Sequence, residues 1–327
     1  MVEQAVLLLA HGTPETVEQI PEYLRNVVSG RPLPQHVIEE IQRRYSLIGR
    51  SPLTELTLEQ GRLVEAELAA AGGGEPVPVY VGMRNWRPYI PDVVRQMRAD
   101  GVEEAAVLCL APQNSRTSVG LYRRAVQAEA DSMRIDFTAA WAQHPLLIEA
   151  FAERLRPALA KLTAEVGHSV PVLFTAHSVP CRTIQTPAAS EGQPRLWPGE
   201  GADPYAQEAK HTAELVAARV PQVSSWFFAF QSQGASGGPW IGPTVEQTLD
   251  TLAPSGAKTV LLQPIGFLCD HVEILYDVDI AFRDYAAKLG IRLERPESLN
   301  GSVTLAKAVA DLAKQGLLRL QSEQIAS

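Results

Sequence analysis

Short runs of consecutive apolar residues alternate with longer segments of helical periodicity along most of the chain. The apolar runs predict strands at 5–10, 77–81, 105–110, 170–175, 225–230, 259–263 and 291–294. Several of these runs are apolar at every position, as is typical of strands covered on both faces. Amphipathic segments predict helices at 52–71, 88–99, 146–166, 205–219, 269–288 and 303–320. Strands that alternate with helices predict parallel sheets with right-handed crossovers, and hence an α/β fold.

The sequence also resembles itself. Residues 5–14 (AVLLLAHGTP) and 171–180 (PVLFTAHSVP) agree at five of ten positions, at an offset of 166 residues. A fainter match relates 106–114 to 259–267. Each half would begin with a buried strand that ends in an Ala-His pair, and open α/β sheets bind ligands beyond the carboxyl ends of their strands. The duplication therefore predicts that His11 and His177 face one shared cleft.

Composition narrows the classes of partner. The 327 residues carry a formal charge of −8, which argues against nucleic acid or an anionic membrane as the partner. The first apolar run, 5–10, is too short for a membrane span or a signal peptide. The three cysteines form no CxxC pair and no disulfide framework, so we expect a reducing, cytoplasmic setting. The Pro- and Gly-rich segment 180–204 predicts a long functional loop.

The segment GFLCDHVEILYDVD, residues 266–279, combines carboxylates with apolar residues. On a helix, Glu273 shares one face with Asp277 and with Asp270. The apolar neighbours predict a half-buried helix, in which like charges need a cation or a proton-transfer role. A solvated acidic face is the alternative interpretation. His271 lies on another face of that helix and is predicted to be a supporting or structural group.

His177 closes a predicted strand, and with nearby carboxylates it would suit Fe(II), Co(II), Ni(II) or Zn(II). A histidine hydrogen-bonded in a turn is the alternative. Arg31, Arg44 and Arg50 are either anchors for substrate carboxylates or ordinary surface arginines. Trp240, in the run GGPWIGP, is predicted to form a lid or a stacking surface. Glycine-rich phosphate loops and a GxSxG motif are absent from the sequence, which disfavours nucleotide binding and an α/β-hydrolase.

Several motifs occur in an order that resembles the ferrochelatase family. They are LLLAHGTP, RRYSLIGRSPL, VYVGMRNWRPYI, LAPQNS, TAHSVP, ADPYAQ, FQSQGASGGPWIGP and IGFLCDHVEILYDVD. The resemblance runs nearly end to end. It implies two similar Rossmann-like domains, each with a parallel four-stranded sheet flanked by helices, and a porphyrin cleft between them. The implied N-terminal domain covers 1–138 plus 303–327, and the implied C-terminal domain covers 139–302.

The resemblance also implies roles for individual residues. His177 and Glu273 look like the catalytic pair, and together with Asp277 they look like the metal site. The implied porphyrin-binding residues are His11, Arg31, Tyr45, Arg50, Ser51, Gln113, Tyr122 and Trp240. The chain departs from the family pattern at three positions, with His11 in place of Tyr, Gln113 in place of His, and Ala281 in place of Glu.

The implied activity is that of a lyase of heme biosynthesis that inserts Fe(II) into a porphyrin. Coproporphyrin III, giving coproheme, is the expected substrate. Protoporphyrin IX, another metal and tetrapyrrole, and a non-catalytic heme carrier are the alternatives. We expect no cofactor beyond substrate iron and no iron–sulfur cluster. We also expect no stable membrane insertion, and a monomer with transient contacts to neighbouring heme-pathway enzymes.

Overall fold

The computed structural model describes residues 3–70, 76–116, 118–184, 203–234 and 238–326. Its frame consists of two four-stranded sheets in which every pairing is parallel. Helices pack on both faces of each sheet, so the α/β fold class is confirmed. Residues 185–202 of the predicted loop lie outside the described residues.

The first sheet has the order β2-β1-β3-β4, with β1 at an interior position. Its strands are β1 (Gln4–Ala10), β2 (Val79–Met83), β3 (Glu104–Cys109) and β4 (Arg134–Thr138). The helices of this half are α1 (Ile20–Val27), α2 (Gln35–Ile48), α3 (Leu53–Ala70), α4 (Ile90–Ala99) and α5 (Val119–Ala130). Leu7, Leu8 and Leu9 of β1 are all fully buried, which explains the unbroken apolar run.

The second sheet has the order β6-β5-β7-β8. Its strands are β5 (Val172–His177), β6 (Trp226–Gln231), β7 (Thr259–Pro264) and β8 (Arg292–Glu294). The remaining helices are α6 (Pro145–Val166), α7 (Cys181–Ile184), α8 (Tyr205–Arg219), α9 (Val245–Leu252), α10 (Val272–Leu275), α11 (Arg283–Lys288) and α12 (Val303–Ala326). In each sheet, the strand that comes first in the sequence lies between the second and the third: β1 lies between β2 and β3, and β5 lies between β6 and β7. β1 and β5, the strands of the internal repeat, therefore occupy equivalent positions.

The strand β4 is absent from the predicted strands because charged residues interrupt its apolar pattern. It lies at an edge of the first sheet, and all five of its residues are half-buried. Arg134 forms an ion pair with Glu104 of the neighbouring strand. Asp136 accepts two hydrogen bonds from Arg319, each of 2.8 Å. Tertiary ion pairs thus allow a strand where the local pattern did not indicate one.

The predicted helix at 269–288 is wrong in its first turn and in its regularity. Helical structure begins at Val272, and His271 before it has an extended backbone. Asp277–Phe282 then forms a π-helix, which α11 continues. The backbone N–H of Asp270 donates to the Asn300 side chain over 2.9 Å, which holds that residue outside a helix. π-helical turns are rare and frequently occur at functional sites.

The last helix, α12, packs against the first sheet. The backbone carbonyl of Leu320 accepts a 3.0 Å hydrogen bond from Arg134 of β4. At Gly316 the helix comes so close that a Cβ there would lie 2.9 Å from an oxygen of Asp136. These contacts attach α12 to β4, the edge strand of the first sheet. The domain boundaries themselves remain a prediction.

The longest helices are amphipathic and not uniformly apolar. α6 has 22 residues and α12 has 24, and both carry charged side chains along their length. Within the described part of the chain, no helix combines the length and the apolar character needed to cross a membrane.

Candidate active site

His177 is the last residue of β5, and its backbone is held firmly. The Tyr205 hydroxyl donates a 2.9 Å hydrogen bond to the His177 carbonyl. Gly266, two residues after β7, lies so close that a Cβ there would be 3.1 Å from the Ala176 Cα. The glycine therefore allows the chain after β7 to pass directly beside the end of β5.

His177 contacts Glu273 of α10 across this strand end. The His177 Nε2 lies 3.2 Å from the Glu273 Oε1, and both side chains are about one-third exposed. Burial disfavours both charged forms, but the attraction between the two groups and their hydrogen bond outweigh it. As a result, the pKa of His177 is raised and the pKa of Glu273 is held well below its ordinary value. The contact therefore favours the imidazolium form of His177 and the carboxylate form of Glu273.

His271 supports Glu273 from the other side. Its Nε2 lies 3.4 Å from the Glu273 Oε2, and its Nδ1 lies 3.2 Å from the Cys269 carbonyl oxygen. The ring is buried and packs against Phe267, with 4.5 Å between ring centroids. Both oxygens of Glu273 thus face a histidine. This placement suits the supporting role predicted for His271.

Asp277 lies beyond Glu273 in a buried position at the start of the π-helix. The Ser232 hydroxyl donates to its Oδ2 over 2.5 Å, and Arg44 of α2 lies 3.4 Å from its Oδ1. Burial and the nearby Glu273 charge raise the pKa of Asp277 to about 6, although Ser232 and Arg44 oppose that shift. The carboxyl group therefore changes its charge at mildly acidic pH.

Asp270 does not share a face with Glu273, and that prediction is wrong. Its carboxylate accepts hydrogen bonds from Ser298 at 2.6 Å and from the Asn300 side chain at 3.0 Å. It also lies 3.2 Å from Arg295. Because the helix begins only at Val272, Asp270 belongs to the preceding loop and binds these groups instead.

His11 follows β1, at the position that corresponds to His177 in the other half. Its Nε2 lies 2.8 Å from the Tyr23 hydroxyl, and the Asn85 amide nitrogen lies 3.2 Å from both ring nitrogens. Desolvation lowers the pKa of His11 to about 4, against an opposing attraction from Glu273, and Arg84 lowers it further. Tyr23, which holds His11, belongs to an apolar cluster against which Val272, the neighbour of Glu273, packs. The two strand ends therefore contribute to one site, which we call the cleft.

The predicted porphyrin-binding residues fall into two groups, and the first group is buried. Ser51 accepts a 3.0 Å hydrogen bond from the Thr13 hydroxyl. The Gln113 side-chain nitrogen lies 3.2 Å from the Thr212 hydroxyl and from a backbone carbonyl, so this amide joins elements inside the protein. Tyr45 and Tyr122 are almost fully buried, and burial raises the pKa of both. Their roles remain predictions.

The second group lies at the surface. Arg31 is exposed and donates to the Val28 carbonyl over 3.0 Å. Arg50 is exposed and pairs with Glu55 at 2.5 Å. Neither contact brings its arginine to the His177–Glu273 pair. The Trp240 ring, in contrast, lies 6.5 Å from the imidazole of His177, so it stands beside the pair.

Three further residues shape the cleft, and reasoning from the sequence did not single them out. Tyr23 and Asn85 hold the His11 ring, and Tyr205 holds the His177 backbone. Tyr205 lies in the motif ADPYAQ and Asn85 in VYVGMRNWRPYI, so these motifs carried an unused signal. Tyr23 belongs to no motif, and only the tertiary structure reveals it.

The cleft offers few metal-ligating side chains. Among the described residues, no three His, Cys, Asp or Glu side chains are grouped so that they could hold a metal ion by themselves. His177 and Glu273 supply one imidazole and one carboxylate, which are donors that Fe(II), Co(II), Ni(II) and Zn(II) accept.

The fold is shared with solved chelatase structures. It is similar to the sirohydrochlorin chelatase SirB of Bacillus subtilis subspecies spizizenii, solved in complex with cobalt, with a TM-score of 0.54 at 11% identity. The match covers 96% of this chain and 94% of that chain.

Comparison of sequences gives a narrower result. A family model described as Ferrochelatase matches residues 3–317. A ferrochelatase of Acidobacterium capsulatum is 61% identical, over 98% of this chain and 96% of that protein. A coproporphyrin III ferrochelatase of Mycolicibacterium vanbaalenii is 33% identical, over 99% of this chain and 93% of that protein. The chain belongs to the ferrochelatase family, the porphyrin metal-chelating enzymes, and the resemblance drawn from its motifs is confirmed.

Proposed function

We propose that this protein inserts Fe(II) into coproporphyrin III and so forms coproheme. The observation that carries the proposal is the 3.2 Å contact between His177 and Glu273 at the carboxyl end of β5. An imidazole and a carboxylate in contact can take up the protons that the metal must replace.

The reaction exchanges one Fe(II) for the two N–H protons of the porphyrin ring. In the proposed mechanism, porphyrin and iron enter the cleft, and His177 loses its proton to solvent through Glu273. The neutral Nε2 of His177 then accepts a pyrrole proton, and Glu273 and Asp277 pass protons outward. The lone pairs freed on the ring nitrogens bind the iron. Remote contacts to the porphyrin carboxylates supply binding energy that distorts the ring toward this state.

The choice of coproporphyrin III rests on positive charge around the cleft. A cavity of about 570 Å³ beside α1 is lined by Arg25 and Arg84, together with Asn26, Tyr89 and Glu22, whose carboxylate pairs with Arg87. Arg44 lies beside Asp277 and also pairs with Glu40 at 2.9 Å. Coproporphyrin III carries a propionate on every pyrrole ring, whereas protoporphyrin IX carries vinyl groups on some of them. Arginines recognise carboxylates well, so several around one cleft favour the substrate with more carboxylates. The names of relatives at 30–33% identity support the same substrate.

One anaerobic experiment tests this proposal. The purified protein is mixed with ferrous iron and either coproporphyrin III or protoporphyrin IX, and the Soret and visible bands are followed. We expect a higher kcat/KM for coproporphyrin III than for protoporphyrin IX. The His177→Ala variant serves as the control for spontaneous insertion.

The other outcomes decide between alternatives. Faster conversion of protoporphyrin IX would overturn the choice of substrate. In a parallel reaction with Co(II) in place of ferrous iron, insertion of cobalt but not iron would indicate another kind of chelatase. Tight binding of heme without any conversion would indicate a carrier.

A further inference from the structure

A cluster of charges lies behind the segment that carries Glu273 and Asp277. Its centre is Arg295, which follows β8 and is only 12% exposed. The guanidinium donates two hydrogen bonds to Asp279, from Nε at 2.7 Å and from Nη2 at 2.8 Å. Its Nη2 also lies 3.2 Å from the Oδ1 of Asp270. One half-buried cation thus binds two carboxylates.

All three nitrogens of Arg295 have acceptors. Nη1 donates to the Pro296 carbonyl at 3.1 Å and lies 3.5 Å from the Ser298 hydroxyl. A planar guanidinium can satisfy carboxylates and carbonyls in several directions at once, whereas the ammonium of lysine is a single point charge. The site therefore requires arginine and not merely a positive charge.

The two carboxylates bracket the catalytic segment. Asp270 lies three residues before Glu273, and Asp279 lies two residues after Asp277. Between them are α10, which has only four residues, and the start of the π-helix. A helical segment this short is not stable on its own, so contacts at its ends must fix its conformation.

Other contacts reinforce the two ends unequally. The Asp270 end also binds Ser298 and Asn300. At the Asp279 end, Arg283 is the other nearby cation, but its nitrogen is 4.0 Å away and its side chain is 42% exposed. Arg295 is therefore the group that joins both ends of the segment to each other.

We propose that Arg295 is a positioning residue for metal insertion. By binding Asp270 and Asp279 together, it fixes the segment that presents Glu273 and Asp277 to His177. This inference rests on the proposed function, since the Glu273–His177 contact matters for insertion only if the pair takes part in it. Arg295 acts through the backbone of the segment, and its described contacts are with Asp270, Asp279 and residues 296–298.

The test compares Arg295→Gln with Arg292→Gln. Arg292 is the matched control because it is nearby and exposed, and it pairs with Glu165 at 3.0 Å and Glu294 at 2.9 Å, outside the catalytic segment. We expect Arg295→Gln to lower kcat/KM for iron by about 10²-fold, the order of loss caused by misplacing a catalytic group by about 1 Å. Porphyrin binding, measured by fluorescence quenching, should change little. Arg292→Gln should match the wild type in both.

Arg295→Lys covers the case in which the glutamine variant does not fold. It keeps the charge but not the planar set of donors, and we expect a loss of about tenfold in kcat/KM for iron with the porphyrin KM retained. A second measurement needs no turnover, because Co(II) can be titrated into the porphyrin-free protein by absorption. We expect both Arg295 variants to bind Co(II) more weakly than wild type and Arg292→Gln.

The two proposals fail in different ways. A wild-type protein that inserts iron into neither porphyrin would overturn the proposed function, while the Co(II) comparison would still test Arg295. Wild-type iron kinetics and Co(II) affinity in Arg295→Lys would overturn the positioning role. Equal losses of porphyrin and iron binding with a lowered melting temperature would also overturn it, since they would show a general contribution to stability.

Discussion

The two strand-end histidines differ sharply, although the two halves of the molecule share one topology. His11 and His177 each follow an alanine at the end of the strand that begins its half. His11 contacts a phenol and an amide, those of Tyr23 and Asn85. His177 contacts the carboxylate of Glu273. The duplicated framework therefore repeats the position of the imidazole but not its electrostatic surroundings.

The different surroundings give the two equivalent histidines different pKa values, and so different chemical roles. Desolvation lowers the pKa of His11 to about 4, whereas Glu273 raises the pKa of His177 above its ordinary value despite burial. Titratable groups whose pKa values are pushed apart take different acid and base roles. In the proposed function, the second half handles protons, and the first half presents a neutral imidazole to the porphyrin.

Removal of the His177 imidazole should have the largest effect on iron insertion, and should separate His177 from His11 most clearly. We expect His177→Ala to lower iron insertion by about 10³-fold, the range for losing a positioned acid–base group, while porphyrin binding persists. His11→Ala should lose less, because its ring is not the proton acceptor. The measurements are Soret-band kinetics and porphyrin fluorescence quenching. Loss of porphyrin binding along with activity in His177→Ala would instead assign it a structural role.

Glu273→Gln should make the surroundings of His177 resemble those of His11, because an amide then replaces the carboxylate beside the imidazole. Without the carboxylate, burial is opposed only by the Ser178 backbone and the Asp277 charge, so the pKa of His177 should fall, and insertion should slow by about 10²-fold. Glu214→Gln is the control, because Glu214 forms an exposed pair with His211 at the same 3.2 Å distance. Near-normal turnover of Glu273→Gln would remove that residue from the mechanism.

The pH dependence of kcat/KM for iron should be set by two groups of the second half, His177 and Asp277. His177 must be neutral to accept a proton, and its folded pKa is raised, so kcat/KM for iron should rise with pH through a value above 6.5. Asp277 must be ionised to pass protons outward, which adds a lower step at about 6. The lower step should disappear in Asp277→Asn. If kcat/KM for iron is constant between about pH 5 and 8, the range in which histidines usually titrate, the roles assigned to His177 and Asp277 are both contradicted.

The smallest expected effect concerns Arg44, the cation that joins α2 to Asp277. Arg44→Gln removes an attraction that lowers the pKa of Asp277, so the lower step should move upward, with a loss of a few-fold at pH 6 and almost none at pH 8. Its effect on stability should be under about 1 kcal/mol, because the pair is partly exposed. Arg43→Gln is the control, since Arg43 binds Glu40 and Tyr276 instead. Identical profiles for the two variants would contradict this role.

The sequence predicted what depends on local pattern. The self-match of 5–14 with 171–180 correctly indicated two equivalent sheets, because buried parallel strands leave continuous apolar runs. The pairing of His177 with Glu273 was implied by the resemblance to the ferrochelatase family, and not by the self-match.

What the sequence did not reveal depends on distant partners. Asp270 leaves the helix because it binds Asn300 and Arg295, which lie 25 residues or more further along the chain. Gln113 is internal because Thr212 lies beside it in the folded protein. Periodicity carries no signal for such long-range contacts, so these placements required the structure.

The return of α12 to the first sheet has a consequence for the order of events during translation. Apolar residues of α12 complete the core above Val6, Leu8 and Ala106, at the face where Gly316 comes closest. A ribosome makes α12 after all eight described strands, so a nascent chain with these strands already synthesised still leaves that face open to water. Exposed apolar faces of this kind attract chaperones and neighbouring chains. The half of the protein that is made first is therefore among the last to mature.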